Sequence, residues 1–340
     1  MHEKVNSAVR RRTARLLPAE PENWAVDSKD RILLPAADEQ YQLTGRFRDA
    51  YFRNIRNEVV ICNRDNENGA DNMTQSVTGI IPVMLTPYAE DGSLDLHGYH
   101  RLTEWYLANG ADALFAVCQS SEMHKLTLGE RVTLARQTVE TVRGRVPVMA
   151  SGHVSGMRDQ QSIELKAIAN TGIDVLVLVT NRLPATEDAD DAAILRELRW
   201  VMEQLPPELP LGLYECPMPF RRLLSDDVLK FCADSGRFVT LKDVSCDLTT
   251  VERRARIVKG SPLAIVNANA AIAWPAMKSG SQGFCGVMNN FHPDLYAWLH
   301  HQGRHHPAVA QELAVFLALG GTSETQGYPA IAERTRSLVK

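Results

Sequence analysis

From Gly79 onward the chain alternates short apolar runs with amphipathic stretches of helical length, and it does so eight times. The runs fall at 79–84, 112–117, 146–151, 174–179, 210–214, 238–242, 263–267 and 282–286. Between them lie segments such as LHGYHRLTEWYLANG, LGERVTLARQTVETVRG, RDQQSIELKAIANTG and AAILRELRWVMEQL. Several close on glycine, which accepts the left-handed conformation just past a helix end without steric cost. Strand-length runs alternating with helices mark repeated βα units and a parallel sheet. Eight units over about 200 residues predict an α/β fold of the closed (β/α)8 kind, a TIM barrel, rather than an open doubly wound sheet of about five or six strands. The first run leads into LTPYAEDGSLD, which has no G-x-G-x-x-G or G-K-[ST]. No pyrophosphate cradle is present there, and no nucleotide cofactor is expected.

The flanks read differently. Residues 1–76, ending in the polar run CNRDNENGADNMTQS, sustain neither a helical nor a strand period, and are expected to form a loosely ordered N-terminal extension. Met73 stands just before the first strong strand, so this segment reads as a late addition or as the product of an upstream start codon rather than as a working domain. Residues 77–302 are assigned to the catalytic barrel. Residues 303–340 form a short C-terminal helical extension, from HPAVAQELAVFLALGG and YPAIAERTRSLVK.

A formal charge of -4 on 340 residues does not make a surface for nucleic acid or anionic membrane. No window approaches the roughly 18 apolar residues that a membrane span needs. The six cysteines are scattered without a C-x-x-C pair, neither a disulfide framework nor a zinc ribbon, so a reducing, cytoplasmic compartment is expected. The histidine group His300, His301, His305 and His306 lacks tetrahedral ligand spacing and reads as solvated, or as a partner of a helix C-terminus, rather than as a metal site. No metal and no cofactor are expected.

In a barrel of this type the chemistry sits at the C-terminal ends of the strands. There the sequence places Thr86, Cys118 to Glu122, Ser151 to His153, Tyr214 to Pro217, Lys242 with Asp243, Asn267, Asn269 and Gly283 to Asn290. Lys242 closes the sixth run, in RFVTLKDVSC. Taking a lysine out of water favours the neutral amine, which can attack a ketone and form a protonated imine, an electron sink for an adjacent carbanion. The structural alternative is a lysine that snorkels outward to pair with Asp243. Tyr214, ending the fifth run in LYECP, shifts the balance toward chemistry, because a phenol beside an imine lysine can carry a proton to and from the carbinolamine oxygen. Ser120 in CQSSE could relay that proton, and Ser121 could donate to a substrate carboxylate. Taken singly, such a tyrosine is more often a packing residue and such serines a turn.

In their order and spacing, GIIPVMLTPYAEDGSLDLHGYHRL, CQSSEMHKLTLGER, LYECP, LKDVSCD and GSQGFCGVMNN resemble the dihydrodipicolinate synthase / N-acetylneuraminate lyase family over about residues 77 to 300. The resemblance implies a (β/α)8 barrel with C-terminal helices, a homo-tetramer or homo-dimer, and a class I lyase working through a lysine imine with pyruvate or a related 2-oxo acid. It places Lys242 on the imine lysine, Tyr214 on the tyrosine of a Y-[NE]-x-P motif and Ser120 on the hydroxyl relay. Gln119 and Ser121 fall in the loop that holds the substrate carboxylate, and Gly283, Cys285 and Gly286 in the glycine-rich segment that approaches the oxo acid. The chain also departs from the pattern. CQSSE stands for a G-T-T-G-E loop, Pro219 stands where an arginine five residues after the tyrosine holds the second substrate, and TNRLP replaces a tyrosine-bearing run after the fourth strand. Two function classes follow: a lyase of the aldolase or hydro-lyase type, and a barrel that keeps the lysine but serves to bind or sense a small molecule.

Overall fold

The computed structural model describes residues 75–321. The expected N-terminal extension, but for its last two residues, and the stretch YPAIAERTRSLVK lie outside the described residues. Eight parallel strands appear where the apolar runs place them: β1 (Gly79–Ile80), β2 (Leu114–Val117), β3 (Val148–Ser151), β4 (Val175–Val179), β5 (Leu211–Tyr214), β6 (Phe238–Asp243), β7 (Ala264–Asn267) and β8 (Gly283–Phe284). They are hydrogen-bonded in the order β1-β8-β7-β6-β5-β4-β3-β2. Beyond β1, a parallel bridge joins Val83 to Phe115, Phe115 N donates to Pro82 O at 3.0 Å and Met84 N donates to Phe115 O at 3.1 Å. These contacts join the first strand to the second and close the (β/α)8 ring.

The first run is expected as one strand over 79–84, yet β1 is only two residues long. Pro82 interrupts it, since proline has no N–H to give to a ladder. At the other seam β1 pairs β8 through Gly79 and Gly283. A Cβ on Gly283 would overlap the backbone of Gly79, so this seam requires glycine for the close approach of the two strands.

Each helix follows the strand before it. They are α1 (Leu96–Ala108), α2 (Leu128–Val142), α3 (Arg158–Ala169), α4 (Asp191–Gln204), α5 (Asp226–Asp234), α6 (Leu248–Ile257), α7 (Ala273–Lys278) and α8 (Pro293–Gln302), with α9 (Pro307–Gly321) beyond the ring. Their starts are written in the sequence. Asp95, Asp190, Ser225 and Asp247 cap α1, α4, α5 and α6, and Thr127 with Glu130 forms a capping box on α2. The glycines read as helix stops after α1, α2 and α3, Gly110, Gly144 and Gly172, all have positive φ.

Side chains alternate along each strand. Position 212 on β5 faces Val175, Val177 and Thr240, the inward set, whereas Leu176 reaches Leu165 on α3 beside Gly152. Most of these apolar side chains are buried in one large core, while Ile80 and Phe284 join a second cluster with Trp274, Met277 and Tyr296. Short 3-10 turns follow β2, β4, β7 and β8, at Gln119–Ser121, Thr180–Arg182, Ala270–Ile272 and Val287–Asn290. They bend the chain at the end of the ring where the candidate residues lie.

Candidate active site

Lys242 and Tyr214 are register partners on the adjoining strands β6 and β5. Both point inward, Lys242 at 4% exposure and Tyr214 at 1%. The amine lies over the Tyr214 ring, with Nζ 4.4 Å from the centroid, and 5.7 Å from the centroid of Phe115. Phe115 meets Tyr214 edge-on at 5.6 Å. The lysine therefore does not snorkel to solvent, nor does it pair with Asp243. Two aromatic rings thus lie against the amine in a setting with little access to water.

Three thiols surround this pair. Burial pushes Cys285 up to about 12 against the opposing influence of the Lys242 charge, and pushes Cys216 up in the same way. The Tyr214 side chain hydrogen-bonds Cys216, whose Sγ donates to Gln119 Oε1 at 3.3 Å. Cys118 bears electrostatically on both Cys216 and Cys285. Sequence reasoning missed Cys216 as a partner of Tyr214. Its signal was the spacing in LYECP, two residues on and therefore on the same face of an extended chain.

Ser120 is 4% exposed on the turn after β2. The Ser121 hydroxyl accepts from Cys118 N at 2.7 Å and lies 3.2 Å from Ala116 O and 3.1 Å from Cys118 O, so it closes the turn it sits in. Thr86 Oγ1 donates to Ser121 O at 2.8 Å and ties this turn to the end of the first strand. Gly286 lies against Phe284 and the carbonyl of Ala268, while Gly283 stands on the β1 seam. Asn289 Nδ2 donates to Ile81 O and Phe284 O, and Asn290 Nδ2 to Val83 O and Val287 O, binding the loop after β8 to the first strand.

On the outer side of the same strands the next residue in each is a buried carboxylate. Glu215 follows Tyr214, Asp243 follows Lys242, and Arg254 of α6 reaches both. Its Nη1 donates to Asp243 Oδ2 at 2.5 Å and to Glu215 Oε2 at 2.9 Å, and its Nη2 to Glu215 Oε1 at 2.7 Å. Glu215 also accepts from Leu224 N at 2.8 Å and Val244 N at 3.1 Å. Burial lowers the Arg254 guanidinium, but the two carboxylates outweigh it and hold it above its ordinary value. One planar fork thus fixes the ends of β5 and β6 against each other.

His153, after β3, is fully buried and accepts from Val179 N at 3.1 Å through Nε2. Burial lowers it to about 4, so it is a neutral imidazole whose proton is on Nδ1. Asn267 closes its own turn, with Oδ1 accepting from Asn269 N at 3.0 Å. Of the histidine group at 300–306, His300 and His301 meet edge-on at 4.9 Å, His301 pairs with Asp112 at 3.1 Å and His306 stacks on Trp298. Among the described residues no three histidine, cysteine or carboxylate side chains form a metal-binding group, and no helix is long and apolar enough to cross a membrane.

A closed parallel barrel whose mouth holds a buried lysine against a tyrosine on the next strand is an aldolase-type architecture. The comparisons with known proteins agree. The model of the dihydrodipicolinate synthetase family matches residues 76–315, and the chain belongs to that family. Proteins named 4-hydroxy-tetrahydrodipicolinate synthase are similar to it. That of Gluconacetobacter diazotrophicus is 25% identical over 227 residues, 67% of this chain and 74% of the relative. That of Clostridium perfringens is 26% identical over 217 residues, 64% of this chain and 72% of the relative. Among solved structures, a dihydrodipicolinate synthase of Bacillus anthracis superposes with a TM-score of 0.68 at 23% identity, covering 74% of this chain and 85% of that one. The E. coli K12 prophage protein YagE, of the dihydrodipicolinic acid synthase family and solved with pyruvate, superposes with a TM-score of 0.69 at 23% identity, covering 77% and 88%.

Proposed function

We propose that this protein is a class I lyase that binds pyruvate or a related 2-oxo acid as an imine on Lys242. The observation that carries this reading is the buried Lys242 amine over the Tyr214 ring at 4.4 Å, on paired strand ends. The neutral amine attacks the C2 carbonyl carbon, forming an N–C bond while the carbonyl oxygen takes a proton from the Tyr214 hydroxyl. The nitrogen then gives a proton back to Tyr214, which passes it to the same oxygen, so that water departs and the protonated imine remains. The Tyr214 phenolate takes a C3 proton, which gives the enamine and restores the phenol. The enamine carbon joins an aldehyde to form a C–C bond, or in the reverse sense one is released; hydration of the imine carbon then frees Lys242.

Tyr214 is the proton carrier in this scheme, with Ser120 as relay, and Gln119, Ser121, Cys285 and the backbone at Gly283 and Gly286 set around the oxo acid.

The test is exchange of the pyruvate methyl protons in deuterated water, followed by proton NMR. Enzyme-dependent loss of the methyl signal, abolished in Lys242→Ala, is the expected result. An unchanged methyl signal with the folded protein would overturn a working lyase. Were a reducible adduct still to form on Lys242, that outcome would favour the alternative, a barrel that binds or senses a 2-oxo acid without turning it over.

A further inference from the structure

Phe115 is the second residue of β2 and is fully buried. Its backbone is held from both sides. Phe115 N donates to Pro82 O at 3.0 Å and Met84 N to Phe115 O at 3.1 Å, while on the other side Phe115 stands opposite Met149 of β3, itself opposite the inward Val175 of β4. The pairing of β2 with β3 then slips, so that Val117 stands opposite Ala150 and Ala116 is the extra residue of a bulge. A bulge beside a site re-aims the side chains around it. The Phe115 ring reaches the reactive pair: its centroid is 5.7 Å from Lys242 Nζ and 5.6 Å from the centroid of Tyr214, and Nζ is 4.4 Å from the Tyr214 centroid. The amine and the two rings stand at the corners of one small triangle.

The inward residues beneath this pair on their own strands are small or β-branched. Below Tyr214 stands Gly212, where a Cβ would come 3.0 Å from the Thr240 side chain and 3.1 Å from that of Val177. Below Lys242 stands Thr240, the register partner of Gly212. Phe115 is thus the bulky apolar side chain that bounds the space beside the amine from β2.

These distances act on whatever is bonded to Nζ. An imine carbon lies about 1.3 Å from its nitrogen, and the two carbons attached to it about 2.5 Å. Apolar carbons touch at about 3.5–4.0 Å. With its centroid at 5.7 Å, the Phe115 ring meets one of those two carbons at contact distance and leaves no room for another carbon behind it. The carboxylate does not fit there, because the face of an aromatic ring carries partial negative charge and has no donor to offer. The C3 carbon fits. A bond formed to an aldehyde is perpendicular to the enamine plane and passes the ring by, whereas a further carbon that C3 already carries lies in that plane and runs into the ring.

We propose that Phe115 sets the size of the 2-oxo acid: its ring receives the C3 methyl of pyruvate on Lys242 and excludes acids with a longer chain at C3. This rests on the imine reading given above and narrows its substrate.

The experiment follows exchange of the C3 protons in deuterated water by proton NMR, with the full chain and either pyruvate or 2-oxobutanoate. The expected kcat/KM for exchange is at least about tenfold higher for pyruvate, the lower end of what one unaccommodated methylene costs in a pocket. Phe115→Val should raise the value for 2-oxobutanoate and bring the ratio close to one, a gain that a merely destabilised barrel would not give. Phe115→Met, which keeps the bulk but yields more readily, should give a partial gain and reads the same ratio should the smaller variant not fold. Equal exchange of the two acids by the natural protein, or a ratio that no folded variant alters, overturns the inference while borohydride still traps pyruvate on Lys242. If none is trapped, the imine reading itself fails and this assignment fails with it.

Discussion

At the residue scale, the site is built from side chains whose surroundings decide their state. Lys242 and Tyr214 were legible in the sequence because each ends a short apolar run, and counting the runs put them on adjacent strands. If Tyr214 carries the proton, Tyr214→Phe should slow turnover by about 100-fold with the fold intact, as measured by steady-state kinetics and circular dichroism. An unaltered rate would remove it from the mechanism. His153 gives a pH prediction whose sign is fixed by its burial. Its folded-state value is lowered to about 4 from an ordinary 6.5, so between these the unfolded chain binds more protons than the folded one. Stability should therefore fall as pH drops from about 6.5 toward 4, by on the order of 3 kcal/mol from this group. Urea unfolding across that range should show a shallower slope in His153→Asn.

At the element scale, the ends of β5 and β6 are held by α6. Tyr214 and Lys242 face inward, and their successors Glu215 and Asp243 face outward onto Arg254. Removing one partner of a buried ion pair strands the others without compensation, so Arg254→Met should lower the unfolding free energy by about 3–5 kcal/mol. Chemical denaturation would measure this, and a loss under about 1 kcal/mol would mean that the strand ends do not depend on the clamp. Nothing in the sequence announced it, because Arg254 lies 39 residues from Glu215 and the contact exists only once two βα units stand side by side. Strands and helices were far more legible. Their periodicity is local, and the caps at Asp95, Thr127, Asp190, Ser225 and Asp247 lie within four residues of the groups they satisfy. The first strand was overestimated because its pattern of apolar residues says nothing of the N–H that Pro82 lacks.

For the whole molecule, the ring is complete between Gly79 and Phe284, and its lead-in is fastened by Ser76 Oγ on Pro262 O at 2.7 Å and Val77 N on Val239 O at 3.2 Å. A chain that starts at Met73 keeps all of these contacts and should unfold in a single cooperative transition. Failure of that chain to fold would show that residues 1–72 carry part of the barrel's stability. The closed ring also gives the buried amine its meaning, since only a complete wall of strands withholds water from the Lys242 nitrogen. The most direct test of that claim is to add pyruvate, reduce with borohydride and map the modified peptide by mass spectrometry. One pyruvate-derived adduct is expected, on Lys242 and absent in Lys242→Ala; an unmodified Lys242 peptide after treatment with pyruvate and other 2-oxo acids would contradict the imine.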